Sequence, residues 1–159
     1  MRAVQDLLPC EDILYLGDTA RLPYGSKSPE SIRRFALEDA KFLVQRGVKA
    51  IVVACNTATA HALPMLRENF DLPVIGVIEP GARALVRVTH NNKVGVIGTV
   101  GTISSGAYVH AVRQTKANVV LTSAACPGFV EFVERDQTTG DEVTVLAERL
   151  LAPVRNAGV

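Results

Sequence analysis

The feature that most constrains this chain is the alternation of short, almost continuous apolar runs with longer amphipathic stretches. Strands that are buried on both faces of a parallel sheet have such runs, whereas half-exposed strands alternate apolar with polar residues. The pattern therefore predicts an α/β fold with parallel-type sheets flanked by helices. The predicted strands cover residues 13–16, 50–54, 74–77, 94–97 and 119–122.

Helical periodicity predicts that the segments between these strands are helices. The first of them has the clearest boundaries, because Ser28 suits an N-cap, Pro29 suits the first helical position and Gly47 follows the end. The polar stretch 89–93 predicts a hinge, so we divide the chain into two lobes, 1–90 and 91–159. The predicted helices cover residues 29–46, 57–69, 81–89, 104–115 and 141–154.

Composition excludes several classes of function. The 159 residues are 48% hydrophobic and carry a net charge of +1, so we expect an ordinary compact protein without a basic surface for nucleic acid. No apolar run approaches the length of about 20 residues that spans a bilayer, and residues 1–9 lack a secretory hydrophobic stretch, which predicts a cytoplasmic protein without membrane contact. The three cysteines form no Cys-x-x-Cys pair, so we expect no metal site.

Two predicted strands end in small polar residues just before a predicted helix. Cys55, Asn56 and Thr57 follow the first of these strands, and Thr99 and Thr102 follow the second. In open α/β sheets, ligands bind where strands end and helices begin, because free backbone N–H groups and the positive helix terminus meet there. The two strand ends are therefore predicted to face one cleft.

Cys55 is the strongest candidate for chemistry. A position just before a helix favours the thiolate, which suits an acid, a base or a nucleophile. The alternative is a small buried residue at a strand end. Asn56 and Thr57 can hold a carboxylate beside the thiol, or they can simply cap the helix.

Three other segments contain weaker candidates. Tyr24 and Gly25 lie in a loop that is either a binding loop or a turn with a surface tyrosine. Glu134 can contact a ligand ammonium or be an ordinary exposed helix glutamate, and Cys126 has a structural environment. The glycine run 95–101 lacks the G-x-G-x-x-G spacing of a dinucleotide loop, so no such cofactor is expected.

Taken together, four segments closely resemble the glutamate racemases of the aspartate/glutamate racemase family. They are YLGDTARLPYGSKS at 15–28, VACNTA at 53–58, PVIGVIEPG at 73–81 and GTVGTI at 98–103. The resemblance implies two α/β lobes with the active site between them. It also implies a racemase that needs no cofactor, acts on glutamate and supplies D-glutamate for bacterial peptidoglycan, and it is compatible with a homodimer.

The resemblance also implies roles for individual residues. In this family, one cysteine thiolate removes the α-proton while a second thiol delivers a proton to the opposite face. Cys55 matches the first cysteine, the base for D-glutamate. The substrate-binding positions that match are Tyr24, Gly25, Asn56, Thr57, Thr99, Thr102 and Glu134.

Both ends of the chain depart from the family pattern. The opening strand with Asp-Ser-Gly has no match, and neither does the later Gly-Cys-Thr-His segment that contains the second cysteine. We therefore expect each lobe to be incomplete and racemisation by this chain alone to fail. The alternatives are an aspartate or hydantoin racemase, a noncatalytic binding module, and a thiol hydrolase, for which Cys55 lacks an activating histidine nearby.

Overall fold

The structure is a computed structural model that describes residues 2–159. Helices and short parallel strands follow one another along the chain, which confirms the predicted α/β class. The helices are α1 (Arg2–Leu7), α2 (Pro29–Val44), α3 (Asn56–Asn69), α4 (Ile78–Val88), α5 (Val100–Ser104), α6 (Ala107–Gln114), α7 (Phe129–Glu134) and α8 (Asp141–Asn156). The strands are β1 (Ile51–Val53), β2 (Val74–Gly76), β3 (Lys93–Gly98) and β4 (Val120–Ala125).

The first sheet consists of β1 and β2, which pair in parallel with Ile51 opposite Val74. Helices α2 and α3 pack together over one face of this sheet. Ser28 is the N-cap of α2, as predicted, because its Oγ accepts a hydrogen bond from the Ser31 N–H at 3.3 Å. The core between these elements is aliphatic and consists of Ala36, Ala40, Ile51, Ala62, Leu63, Leu66 and Val74.

The opposite face of this sheet is open among residues 2–159. Val52 and its register partner Ile75 are half exposed, at 50% and 49%. The expectation that the strands are buried on both faces is therefore wrong for β1 and β2. The reason is that both packing helices lie on the face that Ile51 and Val74 occupy.

Leu66→Ala is expected to lower the free energy of unfolding by about 3 kcal/mol, because it removes an isobutyl group from a fully packed position. Leu66 is only 1% exposed in the α2–α3 core. Leu7→Ala is the control, since Leu7 is 80% exposed, and its effect should stay below about 0.5 kcal/mol. Urea unfolding followed by circular dichroism measures both values, and equal effects would contradict this description of the core.

The second sheet consists of β3 and β4, which pair in parallel from Lys93 opposite Val120 to Gly98 opposite Ala125. Helix α8 packs against this sheet, and Gly95 allows the approach: a Cβ added there would lie 2.6 Å from Val154 Cγ1. A second buried cluster joins α4 to α6 through Ile78, Ala82, Ala111 and Val112. The lobe boundary at residue 90 stays a prediction.

Two element predictions are wrong. Residues 13–16 form no strand, because none of residues 2–159 pairs with them in a ladder, and a strand requires such a partner. The helix predicted over 104–115 is two helices, α5 and α6, separated at Gly106, whose φ of +69° lies in the left-handed region. Helix α4 also begins at Ile78, three residues before the predicted start. No helix among residues 2–159 has the length and hydropathy to cross a membrane.

Candidate active site

Cys55 lies at the junction of β1 and α3, where it is the N-cap residue of the helix. Its backbone is extended, and its Sγ accepts a hydrogen bond from the Ala58 N–H at 3.4 Å. The side chain is exposed, so the alternative of a small buried cysteine is wrong. The N-cap position therefore places the exposed sulfur against a backbone N–H of the first turn of α3.

Three threonine hydroxyl groups meet beside this helix start. Thr57 Oγ1 lies 2.9 Å from Thr99 Oγ1 and 3.0 Å from Thr102 Oγ1, and the last two are 3.1 Å apart. Thr99 is the N-cap of α5 and accepts the Thr102 N–H at 3.1 Å. The strand ends after β1 and β3 therefore do come together, as the sequence predicts.

The three threonines differ in how far they are buried. Thr57 and Thr102 are 3% and 2% exposed, whereas Thr99 is only partly buried. Thr57 does not cap α3, because its hydroxyl bonds to the two threonines at the start of α5. In this arrangement Thr99 is the hydroxyl of the cluster that is most open to a ligand.

The loop that contains Gly25 packs against the same point. A Cβ added at Gly25 would lie 2.6 Å from both Cβ and Cγ2 of Thr99. A Cβ added at Gly101 would lie 3.2 Å from the Gly25 carbonyl oxygen and 3.3 Å from Thr57 Cγ2. The 2.6 Å contacts leave no room for a side chain at Gly25, and a side chain at Gly101 would require its neighbours to shift by a few tenths of an ångström. The loop, α3 and α5 therefore meet at the threonine cluster.

The Tyr24 hydroxyl takes part in a charged network at the start of this loop. It donates to Asp18, and Asp39 Oδ2 lies 3.3 Å away. Arg21 bonds to both aspartates at 2.9 Å and to Glu38 at 2.5 Å. Its guanidinium also lies 4.5 Å from the centre of the Phe35 ring. These contacts tie the loop to α2.

The network shifts the pKa values of its acids. Partial burial raises the pKa of Asp18, but hydrogen bonds from Tyr24 and Arg21 outweigh this effect and leave the value below its ordinary 3.8. Burial and the neighbouring Asp18 charge raise the pKa of Asp39. Burial and the hydrogen bond to Asp18 raise the pKa of Tyr24, so its hydroxyl remains a donor at neutral pH.

Arg21→Ala is expected to lower the free energy of unfolding by about 1–2 kcal/mol at pH 7, because it leaves Asp18 and Asp39 close together without their cation. The lowered pKa of Asp18 stabilises the folded state above pH 3.8, and this stabilisation is lost as the pH falls. The deficit of the variant should therefore shrink as the pH falls below about 4.

Urea titrations at pH 7 and pH 3.5 measure this deficit. Arg33→Ala is the matched control, since among residues 2–159 Arg33 forms its ion pair with exposed Glu30, at 3.2 Å, and should change stability by less than about 0.5 kcal/mol. A deficit for Arg21→Ala that is equal at the two pH values would contradict the network as described.

The remaining candidates lie apart from the threonine cluster. Asn56 is exposed at the start of α3, and its Oδ1 accepts a hydrogen bond from the Tyr108 hydroxyl at 2.8 Å. Its amide nitrogen has no partner among the described residues, so it can donate to a ligand. One residue near the cluster was missed by sequence reasoning: His61, on α3, lies 3.0 Å from the Gly101 carbonyl oxygen.

Comparison with known proteins identifies the family to which this site belongs. The family model described as Asp/Glu/Hydantoin racemase matches residues 1–159, the whole chain. The chain belongs to this racemase family. The residues singled out from the sequence are therefore residues of a racemase-family fold, although the role of each stays a prediction.

Several similar proteins are glutamate racemases. The chain is 52% identical over 149 residues to the one from Oceanobacillus iheyensis, covering 94% of this chain and 54% of that relative. The solved glutamate racemase structure from Bacillus anthracis matches with a TM-score of 0.88 and 44% identity, covering 96% of this chain and 57% of that one. The structure from Francisella tularensis in complex with D-glutamate matches with a TM-score of 0.85 and 40% identity, covering 94% and 56%. The chain thus spans just over half the length of these relatives.

Two further residues of this racemase-family chain lie after β4. Glu134 is the last residue of α7 and is exposed, and no hydrogen bond or ion pair among residues 2–159 joins it to the threonine cluster. Cys126 is buried, its thiol lies 3.8 Å from the Ala124 carbonyl oxygen, and burial raises its pKa. These properties suit a structural cysteine, as the sequence predicts.

Proposed function

We propose that this chain forms the Cys55 side of a glutamate racemase site that needs no cofactor and supplies D-glutamate for bacterial peptidoglycan. The observation that carries the proposal is the exposed Cys55 thiol at the start of α3, beside the point where the two strand ends meet. The relatives named glutamate racemase, and the related structure solved with D-glutamate, support glutamate as the substrate.

The chemistry at Cys55 is a proton transfer. The thiolate takes the α-proton of D-glutamate, an S–H bond forms, and the C–H electron pair stays on Cα as a carbanion. In D₂O the thiol proton exchanges with solvent, and return of a deuteron from the same sulfur regenerates D-glutamate labelled at Cα. Delivery from the opposite face inverts Cα, and it requires a second acid.

Neither of the other cysteines suits that second role. Cys126 is buried and lies after β4, whereas Cys10 lies in the exposed segment after α1. We therefore propose that this chain alone exchanges the α-proton of D-glutamate without forming the L-enantiomer. Full racemisation then needs a thiol that the 159 residues do not contain.

The substrate-binding roles belong to the same proposal. The Gly25 backbone, the Asn56 amide and the Thr99 hydroxyl are the groups best placed to hold the substrate carboxylates. Thr57 and Thr102 support Thr99 from the buried side, and the Tyr24 network holds the loop. Glu134 as a contact for the ammonium, the homodimer and the cytoplasmic location also stay predictions.

Proton NMR in D₂O tests this function. The unmodified chain is incubated with D-glutamate, L-glutamate or D-aspartate, and loss of the α-proton signal is followed together with chiral analysis of the product. We expect loss of signal for D-glutamate, none for L-glutamate, and a slower or absent loss for D-aspartate. Exchange on D-aspartate that exceeds exchange on D-glutamate would favour the aspartate racemases of the family instead.

A noncatalytic binding module is the alternative from another class. The chain spans just over half the length of its relatives, so binding without turnover is the main alternative to catalysis. Saturable binding of D-glutamate by titration calorimetry, together with no exchange for either enantiomer, would favour that alternative and contradict catalysis by Cys55.

A further inference from the structure

His61 joins α3, which contains Thr57, to the start of α5, which contains Thr99 and Thr102. It lies on α3 one turn after Thr57, so the two side chains share a face of the helix. Its ring is partly buried, and Nε2 lies 3.0 Å from the Gly101 carbonyl oxygen on α5. Because a carbonyl oxygen only accepts, Nε2 must bear the proton that makes this hydrogen bond.

Gly101 is the residue at which three segments meet. It lies between Thr99 and Thr102, and its Cα faces the Gly25 carbonyl, Thr57 Cγ2 and the His61 ring. Its carbonyl oxygen also accepts the Ser105 N–H and the Ser104 hydroxyl, both at 3.3 Å. Those two donors belong to the same short helical segment as Gly101, so the bond from His61 is the one that reaches this oxygen from α3.

We propose that His61 is a positioning residue for the racemase site: its Nε2–H donates to Gly101 and holds the start of α5 against the start of α3. This inference rests on the proposed function for its effect on catalysis, but the hydrogen bond itself exists without substrate. The bond keeps the Thr99 hydroxyl beside Thr57, at 2.9 Å, and therefore beside the helix start that Cys55 caps. His61 contacts no reacting atom in this role.

The first experiment needs no substrate. Nitrogen-15 NMR of the histidines reports which ring nitrogen bears the proton, and amide hydrogen exchange at Thr102 reports the start of α5, because this N–H bonds to Thr99. We expect His61 to be protonated on Nε2. We expect His61→Leu to speed exchange of the Thr102 amide about 10-fold, and His61→Gln, which places an amide donor near the same point, to restore most of the protection.

The second experiment uses α-proton exchange on D-glutamate. His61→Leu should raise KM about 10-fold and change kcat less than about 3-fold, because it disturbs a substrate-binding hydroxyl and leaves the thiol in place. His61→Gln should recover most of the difference. His90→Leu is the matched control, since His90 is exposed outside the site, and it should behave like the unmodified chain.

The outcomes separate this proposal from the proposed function. A proton on Nδ1 in place of Nε2, or unchanged Thr102 exchange in His61→Leu, would overturn the positioning role whether or not the chain turns over glutamate. Equal loss in His61→Leu and His61→Gln would also overturn it. If the chain exchanges no glutamate proton, the Thr102 measurement still decides the role of His61. If His61→Leu does not fold, the protonated nitrogen and the His61→Gln variant decide it.

Discussion

Cys55→Ala is expected to lower the rate of α-proton exchange on D-glutamate by about 1,000-fold, because the variant has no general base at the start of α3. The thiol is exposed and accepts the Ala58 N–H at the start of α3, and we expect its removal to have the largest effect of any substitution considered. Loss of the α-proton signal in D₂O measures the rate. Cys10→Ala is the matched control, since Cys10 is also an exposed free cysteine, and it should retain the full rate.

Cys55→Ser separates chemistry from structure. A serine hydroxyl caps a helix at least as well as a thiol, so this variant should keep the hydrogen bond from the Ala58 N–H and the stability of α3. It should nevertheless lose exchange as fully as Cys55→Ala, because a serine alkoxide does not form at neutral pH. Exchange by either variant above about a tenth of the unmodified rate would assign the base to another residue.

Several features that depend on neighbouring residues could be predicted from the sequence. The N-cap at Ser28 and the polar residues at the ends of β1 and β3 could be read from the chain. The meeting of Thr57 with Thr99 could also be predicted, although β1 and β3 belong to different sheets, because ligands of α/β proteins bind where strands end and helices begin, and both segments have such an end. The predicted hydroxyl groups of the candidate site therefore do lie together.

Features that depend on distant partners could not be predicted. Residues 13–16 have the composition of a strand, but strand formation requires a ladder partner that none of residues 2–159 provides. The Tyr24 hydroxyl bonds to Asp18 and Asp39, and Asp39 lies on a helix 15 residues away. His61 looks like an ordinary helix histidine until α5 brings the Gly101 carbonyl to it, across 40 residues of sequence.

Gly25→Ala is expected to have the second large effect, because Gly25 lies in the loop that packs against Thr99. An added Cβ would lie 2.6 Å from Cβ and Cγ2 of Thr99, far inside contact distance, so the loop or the start of α5 must move. Thr99 Oγ1 also holds the Thr57 hydroxyl and the Thr102 N–H, and neither bond survives a large shift. We expect a loss of about 2 kcal/mol in stability and about 100-fold in the exchange rate on D-glutamate.

Gly47→Ala is the control that distinguishes crowding from the general cost of replacing a glycine. Gly47 has a φ of +74° and open space around its Cα, so alanine there adds backbone strain of about 1 kcal/mol without touching the site. Its exchange rate should therefore match that of the unmodified chain, whereas Gly25→Ala should lose both stability and rate. If Gly25→Ala loses stability and keeps its exchange rate, the loop is not part of the substrate site. The contact between Gly25 and Thr99 would then serve only to pack the loop against α5.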